Sequence, residues 1–327
     1  MDDREYLPLD PSDALMCLEE SGLAPVICHQ ALTGSIQGDL DVFVSRPTTD
    51  SMLRFWVALS RKGLSVTSIW PSDVDTVNLF IYRADSCQVL QLDMVSSPRG
   101  SVGYGVRTSL ANADAVESLH GFRELNSIDR AIYLLAKRLT KAQYSSAFEA
   151  RATLLRCTSD INTALRRVDQ LLISERAKPV KSFIQDVSYR LPRRLSLMRR
   201  GSLPNARGDL WYSALTARRF VRRLAYPVGR IVRLPTSVST SEIDSLARSF
   251  AGASLLVEAI DRSRSCAQLV AATRSSFIGF DGMGYVESLR CYLLRGSAVV
   301  PVNSPDRHLI AQALHQSSRG TLVRHAW

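Results

Sequence analysis

Gly38-Asp39-Leu40-Asp41-Val42-Phe43-Val44 alternates carboxylates with bulky apolar side chains. In an extended strand, residues two apart share a face. Asp39 and Asp41 therefore project together, while Leu40, Val42 and Val44 supply β-forming bulk to the other side. Further along, Val89-Leu90-Gln91-Leu92-Asp93-Met94-Val95 is a second apolar strand carrying one carboxylate. A carboxylate in such a strand is costly unless it lies exposed at the end or is neutralised by a cation. Three of them on two strands read as a metal site. Carboxylate oxygens suit Mg²⁺ or Mn²⁺, which hold phosphate oxygens beside carboxylates and offset the charge that develops in phosphoryl transfer. Asp39, Asp41 and Asp93 are thus the candidate catalytic and metal-ligating residues, and nucleotide chemistry on a nucleoside triphosphate is the leading expectation. Asp73 and Asp75 repeat the spacing, but the surrounding Pro71-Ser72-Asp73-Val74-Asp75 has turn composition.

Working outward, residues 24–28 and 39–44 read as strands joined by a loop from His29 to Gly38. Asp50 is placed to cap a helix carrying Met52, Phe55, Trp56 and Leu59 and stopping at Gly63. Leu64–Trp70, Thr76–Tyr82 and Gln88–Val95 follow as strands separated by turn chemistry. Ser127 or Asn126 caps a helix over Asp129–Ala142, with Ile132, Leu135 and Leu139 at helical spacing and Lys137, Arg138 and Lys141 largely elsewhere. A further helix is expected over Ala147–Leu172. Beyond Pro227, apolar strands at Arg230–Leu234, Ser254–Val257, Phe277–Phe280 and Ala298–Val302 alternate with helices, which argues for a small α/β layer. The expected fold class is α/β, with an α+β N-terminal part. Residues 1–145 form a mixed sheet with helices, 146–226 a helical Arg-rich connector, and 227–327 a small α/β domain.

At 327 residues, 46% hydrophobic and 22% charged, the composition is that of a soluble globular chain of about two domains. No apolar run approaches the length of a bilayer span, and Met1-Asp2-Asp3-Arg4-Glu5 lacks the order of a secretory signal, so a cytoplasmic location is expected. Cys17, Cys28, Cys87, Cys157, Cys266 and Cys291 are scattered without zinc spacing and read as buried thiols. The formal charge of +10 is concentrated: Lys178 to Arg233 holds fourteen basic and two acidic residues, and the remaining 27 basic and 29 acidic residues balance at −2. Within that segment Tyr189-Arg-Leu-Pro-Arg-Arg-Leu-Ser-Leu-Met-Arg-Arg200 interleaves cations with Leu and Met. A peripheral anchor on an anionic membrane surface and a solvated inter-domain arm explain it equally well. Nucleic-acid contact by Arg193, Arg194, Arg199 and Arg200 ranks lower because stacking aromatics are sparse there.

The N-terminal block resembles the nucleotidyltransferase-like proteins encoded in bacterial surface-polysaccharide clusters. The likeness rests on Gly38–Val44, Leu90-Gln-Leu-Asp93, Tyr104-Gly-Val-Arg107 and Tyr133-Leu-Leu-Ala-Lys-Arg-Leu139. In that superfamily a pair of aspartates and a later third one bind the metal ions that carry the triphosphate, roles that fall by resemblance on Asp39, Asp41 and Asp93. The resemblance implies an acceptor that is a sugar, a lipid-linked group or a protein of polysaccharide assembly. One departure concerns the Gly-Ser pair that normally opens a phosphate-cradling helix, because Gly34-Ser35 stands only four residues before Asp39. No helix fits between them. Gly34, Ser35 and Gly38 are then either a short loop touching phosphate or a plain turn. Lys137 and Arg138 are candidate triphosphate cations or members of a solvated helix face.

The C-terminal part resembles a degenerate thymidylate-kinase-like module. Its lead-in is Arg218-Arg-Phe-Val-Arg-Arg223, Pro227-Val-Gly229 and Arg230-Ile-Val-Arg-Leu-Pro235. Where the P-loop belongs the chain reads Thr236-Ser-Val-Ser-Thr-Ser-Glu242, without the glycines and lysine that phosphate binding needs. Phe280-Asp-Gly-Met-Gly-Tyr285 reads better as a tight β–α turn than as a phosphate or sugar-nucleotide site, yet Gly282, Gly284, Tyr285 and nearby Arg290 form a second candidate. His29 and His120 could shuttle protons, but no partner is specified and a structural role is preferred. The expected reaction is Mg²⁺-dependent transfer of a nucleotidyl group, with pyrophosphate leaving and Asp93 helping to activate the acceptor oxygen. Two other readings compete: a non-catalytic scaffold or regulator, and an RNA-modifying enzyme that uses the Arg-rich arm.

Overall fold

The computed structural model describes residues 9–29, 39–44, 47–73, 76–96, 101–102, 105–107, 115–117, 121–189, 231–235, 237–239, 241–242, 245–246, 257–259, 276–280 and 299–325. The chain is a mixed α/β protein. Its larger sheet comprises β1 (Val26–His29), β2 (Asp39–Phe43), β3 (Leu64–Asp73), β4 (Thr76–Arg83), β5 (Gln88–Val95), β8 (Ala115–Glu117) and β9 (Arg123–Leu125), in the order β3-β4-β5-β2-β1-β9-β8. The short strands β6 (Ser101–Val102) and β7 (Val106–Arg107) pair with each other. β2 lies parallel to β5, whereas β1–β2, β3–β4 and β4–β5 are antiparallel.

The period-two alternation sorts the sheet into two faces. Leu40, Val42, Leu79, Ile81, Leu92 and Met94 pack on one side with α1 (Ser12–Glu20) and α2 (Thr49–Arg61). Val26, Phe43 and Val95 pack on the other with α3 (Ser127–Thr140), α4 (Tyr144–Cys157), α5 (Ile161–Leu171) and α6 (Ser174–Gln185). Leu15 and Leu18 give α1 its buried stripe, and Asp13 holds Lys62 at 3.3 Å and also pairs with Arg83, tying α1 to the end of α2 and to β4. Burial works against the Asp13 charge, but the bonds and charges of Arg83 and Lys62 outweigh it and hold the carboxyl below its ordinary range.

Three local expectations change. The cap of α2 is Thr48 rather than Asp50: its side chain accepts the Ser51 N–H at 3.1 Å while Ser51 Oγ accepts the Thr48 N–H at 2.9 Å. Asp50 is exposed and pairs with Arg54 at 2.9 Å, a contact worth little in water. Thr48→Ala is expected to cost about 1 kcal/mol, seen as a lower urea midpoint at unchanged m. The long helix expected over 147–172 is two, because Asp160 accepts the Thr163 N–H at 2.9 Å and starts α5 afresh. Asp73 lies in β3, so the expected turn at 71–75 is shorter, with Asp75 outside the described residues.

The smaller sheet has β10 (Ile231–Leu234), β11 (Val257–Ala259), β12 (Ser276–Phe280) and β13 (Val299–Pro301), all parallel, in the order β11-β12-β10-β13. Each expected C-terminal strand is present; β11 is described over Val257–Ala259, and residues 254–256 of the expected strand lie outside the described residues. The last helix, α7 (Arg307–His325), places Ile310, Ala311 and Leu314 with Leu234 and Val302 against Tyr82 and Val89 of the larger sheet. No helix among the described residues is long and apolar enough to cross a membrane. The basic run 190–200 lies outside the described residues.

Candidate functional site

Strand register builds the site. His29 of β1 stands opposite Asp41 of β2, Asp41 opposite Asp93 of β5, and Asp93 opposite Asn78 of β4. Residues directly opposed across a ladder share a face. This row therefore runs across the face that carries α3. Along β5 the same face presents Val89, Gln91, Asp93 and Val95. Val89 belongs to the core shared with the C-terminal strands and Val95 to the core under α3. The polar row lies between residues of two apolar cores.

Asp41 and Lys137 form a buried ion pair, each with only 2% of its surface exposed. The sequence pattern sets Lys137 largely off the apolar face of its helix, yet the docking of α3 buries it. Tyr133, one turn earlier, meets Phe43 of β2 edge-on at 5.7 Å and holds α3 over the strand that carries Asp41. Asp93 is 8% exposed and accepts bonds from the Asn78 amide and, at 3.1 Å, from Gln91 Nε2. Asn78 is 7% exposed, and its Oδ1 has no hydrogen-bond partner among the described residues. Asn78 and Gln91 had no place in the sequence reading. The available signal was an amide inside the apolar run Val77-Asn78-Leu79-Phe80-Ile81. Burial, with the Asp41 carboxylate near it, pushes the Cys28 thiol well above its ordinary value, so this cysteine stays protonated and is a poor nucleophile.

The other candidates distribute unevenly. Asp39 is opposite Gln91 in the ladder, two residues before Asp41. Gly34, Ser35, Gly38, His120, Gly282, Gly284, Tyr285 and Arg290 lie outside the described residues. Arg138, one position beyond Lys137, turns away and donates to Gln143 Oε1 at 2.8 Å. Within Tyr104–Arg107 the described residues dock on the junction of α5 and α6: Gly105 accepts the Ile173 N–H at 2.8 Å and Arg107 donates to the Leu172 carbonyl at 3.2 Å. Gly105 has φ +84°, and a Cβ there would collide with Arg176, so glycine is required for this close approach. Among the described residues, no group of three or more His, Cys, Asp or Glu side chains gathers in metal-binding geometry. In the stretch 236–242, compared above with a P-loop, Glu242 accepts the Ser239 N–H at 2.8 Å and its Oγ–H at 2.7 Å, while Ser239 Oγ accepts the Glu242 N–H at 3.3 Å.

The chain matches no family model and no curated protein. The chemistry of the row itself therefore carries the functional argument.

Proposed function

We propose that the chain is a metal-dependent nucleotidyltransferase that moves a nucleotidyl group from a nucleoside triphosphate to an acceptor hydroxyl, with pyrophosphate leaving. The observation that carries this reading is the placement of Asp41 and Asp93 side by side and in register on parallel strands, nearly buried, with a cationic side chain delivered to the same point. The donor set fits a hard divalent ion: two carboxylates and the buried Asn78 Oδ1, with Asp39 on the same strand two residues away. Mg²⁺ or Mn²⁺ bound there would join triphosphate oxygens to the carboxylates and offset the charge of the departing pyrophosphate. Asp39, Asp41 and Asp93 would hold the ion. Asn78 and Gln91 fix the orientation of the Asp93 carboxylate, which would help to activate the acceptor oxygen. The apolar cores on either side keep bulk water from the row and strengthen its electrostatics. The acceptor class, a component of surface-polysaccharide assembly, follows from resemblance alone, and the nucleotidyltransferase fold is likewise part of this proposal.

A second reading is favoured by one contact. The Lys137 ammonium already neutralises Asp41, as it would in a scaffold that has retained the fold and lost its metal. Thermal stabilisation by each nucleoside triphosphate with Mg²⁺ or Mn²⁺ separates the two. The enzyme reading expects a metal-dependent rise equivalent to about 2.7 kcal/mol at a hundredfold excess over Kd. That rise disappears in Asp41→Asn and Asp93→Asn proteins shown to be folded. If no nucleotide shifts the wild type, the scaffold reading replaces the enzyme.

A further inference from the structure

We propose, resting on the metal-site reading above, that Lys137 is a displaceable counter-ion: its ammonium and the divalent cation are alternative partners of Asp41, and Lys137 turns to the triphosphate once the metal has taken its place.

Two cations on α3 and α5 show the contrast that motivates this. Arg167 grips Asp129 with two nitrogens, Nε at 2.6 Å and Nη2 at 2.5 Å, a fork that resists exchange. Lys137 instead meets Asp41 with one ammonium on a four-carbon stem, a point charge that changes partner without rebuilding a planar contact. Asp93 lies in register beside Asp41, and two of its hydrogen-bond donors are neutral amides. Asn78 Oδ1, more than nine-tenths buried, is an acceptor without a hydrogen-bond partner among the described residues. A buried acceptor in that state costs free energy until a cation or a cation-bound water meets it. With the lysine in place, the Asp41 carboxylate is not a bare buried charge. Displacing the ammonium into an apolar surrounding would be prohibitive on its own, but the metal arrives with a polyanion that takes the ammonium over. The substrate is thereby required to come as the metal complex.

The test uses the full chain and Mn²⁺ alone, counted by the electron paramagnetic resonance of the unbound ion, with no activity readout. Lys137→Met is expected to tighten Mn²⁺ by about tenfold or more, because the competitor is gone, and to weaken the Mn²⁺–nucleotide complex by about tenfold or more. The variant should also melt early and be restored by Mn²⁺ in a dose-dependent way. Asp41→Asn/Lys137→Met, which removes both charges, should fold without metal and show no such restoration. Should Lys137→Met prove too unstable to purify without metal, Lys137→Gln supports the same titration. Unchanged or weaker Mn²⁺ binding in these variants, with the wild type still stabilised by metal and nucleotide, overturns this inference and leaves the enzyme reading standing. Absence of metal and nucleotide binding in every protein, wild type included, overturns both.

Discussion

Asp129→Ala is expected to lower the free energy of unfolding by about 3–5 kcal/mol, the usual effect of stranding the partner of a buried ion pair. Asp129 is fully buried in the first turn of α3, accepting from Arg167 Nε and Nη2 and, at 2.9 Å, from Asn126 Nδ2. Asn126 in turn caps the helix by accepting the Asp129 N–H at 2.9 Å. One truncation therefore removes the anchor of α5 on α3, a carboxylate at the positive end of the helix dipole, and the support of the cap. Urea unfolding checks it, with a lowered midpoint and an m-value close to wild type. Arg167→Met in the Asp129→Ala background should recover part of the loss, because it removes the unpaired guanidinium, and the cycle of four proteins isolates the coupling. On the proposed function the consequence reaches the site: α3 carries Lys137, so Asp129→Ala would also weaken any stabilisation by metal and nucleotide although Asp129 lies outside the polar row.

The second large effect is a loss of stability in mild acid governed by His315. This residue of α7 is 5% exposed and stacks on Trp56 of α2, with ring centroids 3.7 Å apart and 13° between planes. Its Nδ1 accepts the Val66 N–H at 2.9 Å, which leaves the proton on Nε2 to donate to Ser60 Oγ at 2.6 Å. Ser60 passes the chain on to the Trp56 carbonyl at 3.3 Å. A second ring proton would point at the Val66 N–H. Burial accordingly lowers the His315 pKa from 6.5 to about 4. Charged groups on the elements around it are Asp50, Arg54 and Arg61 of α2, Lys62 just beyond its end, Arg83 of β4, and Arg307, His308 and Arg319 of α7; Asp50 is exposed and already paired with Arg54 at 2.9 Å. Lys62 and Arg83 are held by Asp13, and His308 lies 3.5 Å from Asp85, so none offers His315 an anion.

Since the folded pKa is below the unfolded one, the unfolded chain binds more protons between them. The contribution is complete above about pH 6.5 and is lost as pH falls through about 4, amounting to roughly 3 kcal/mol. In practice α7 should leave the edge strand β3 first. The Val66 amide loses hydrogen-exchange protection and Trp56 fluorescence changes over that window, and His315→Gln flattens both dependences. A protection profile at Val66 that is the same at pH 4 and pH 7 in the wild type would exclude this account.

The sequence by itself determined what depends on short-range periodicity. Alternation in Asp39–Val44 and Val89–Val95 assigns strands and puts Asp39 with Asp41 on one face, since a period of two leaves no other arrangement. The apolar spacing of Ile132, Leu135 and Leu139 marks α3, and the four C-terminal strands were legible for the same reason. Helix ends were less so. Thr48 with Ser51 and Asp160 with Thr163 compete with neighbouring Asp and Ser residues of equal capping ability, and only the completed hydrogen bonds choose between them.

Tertiary structure alone decided which groups meet. Asp41 and Lys137 are 96 positions apart, Val66 and His315 249, and such pairs arise from strand register and helix docking rather than from any local pattern. The parallel pairing of β2 with β5 brought Asp41 beside Asp93, and the antiparallel pairing of β5 with β4 added Asn78. Lys137, with the composition of a solvated helix face, became a buried counter-ion because Tyr133 packs on Phe43 and brings that side of α3 down on β2. Periodicity tells which side of an element is apolar. The partner of a buried charge is chosen by the whole fold, because a charge removed from water must be compensated wherever the packing of larger side chains has placed it.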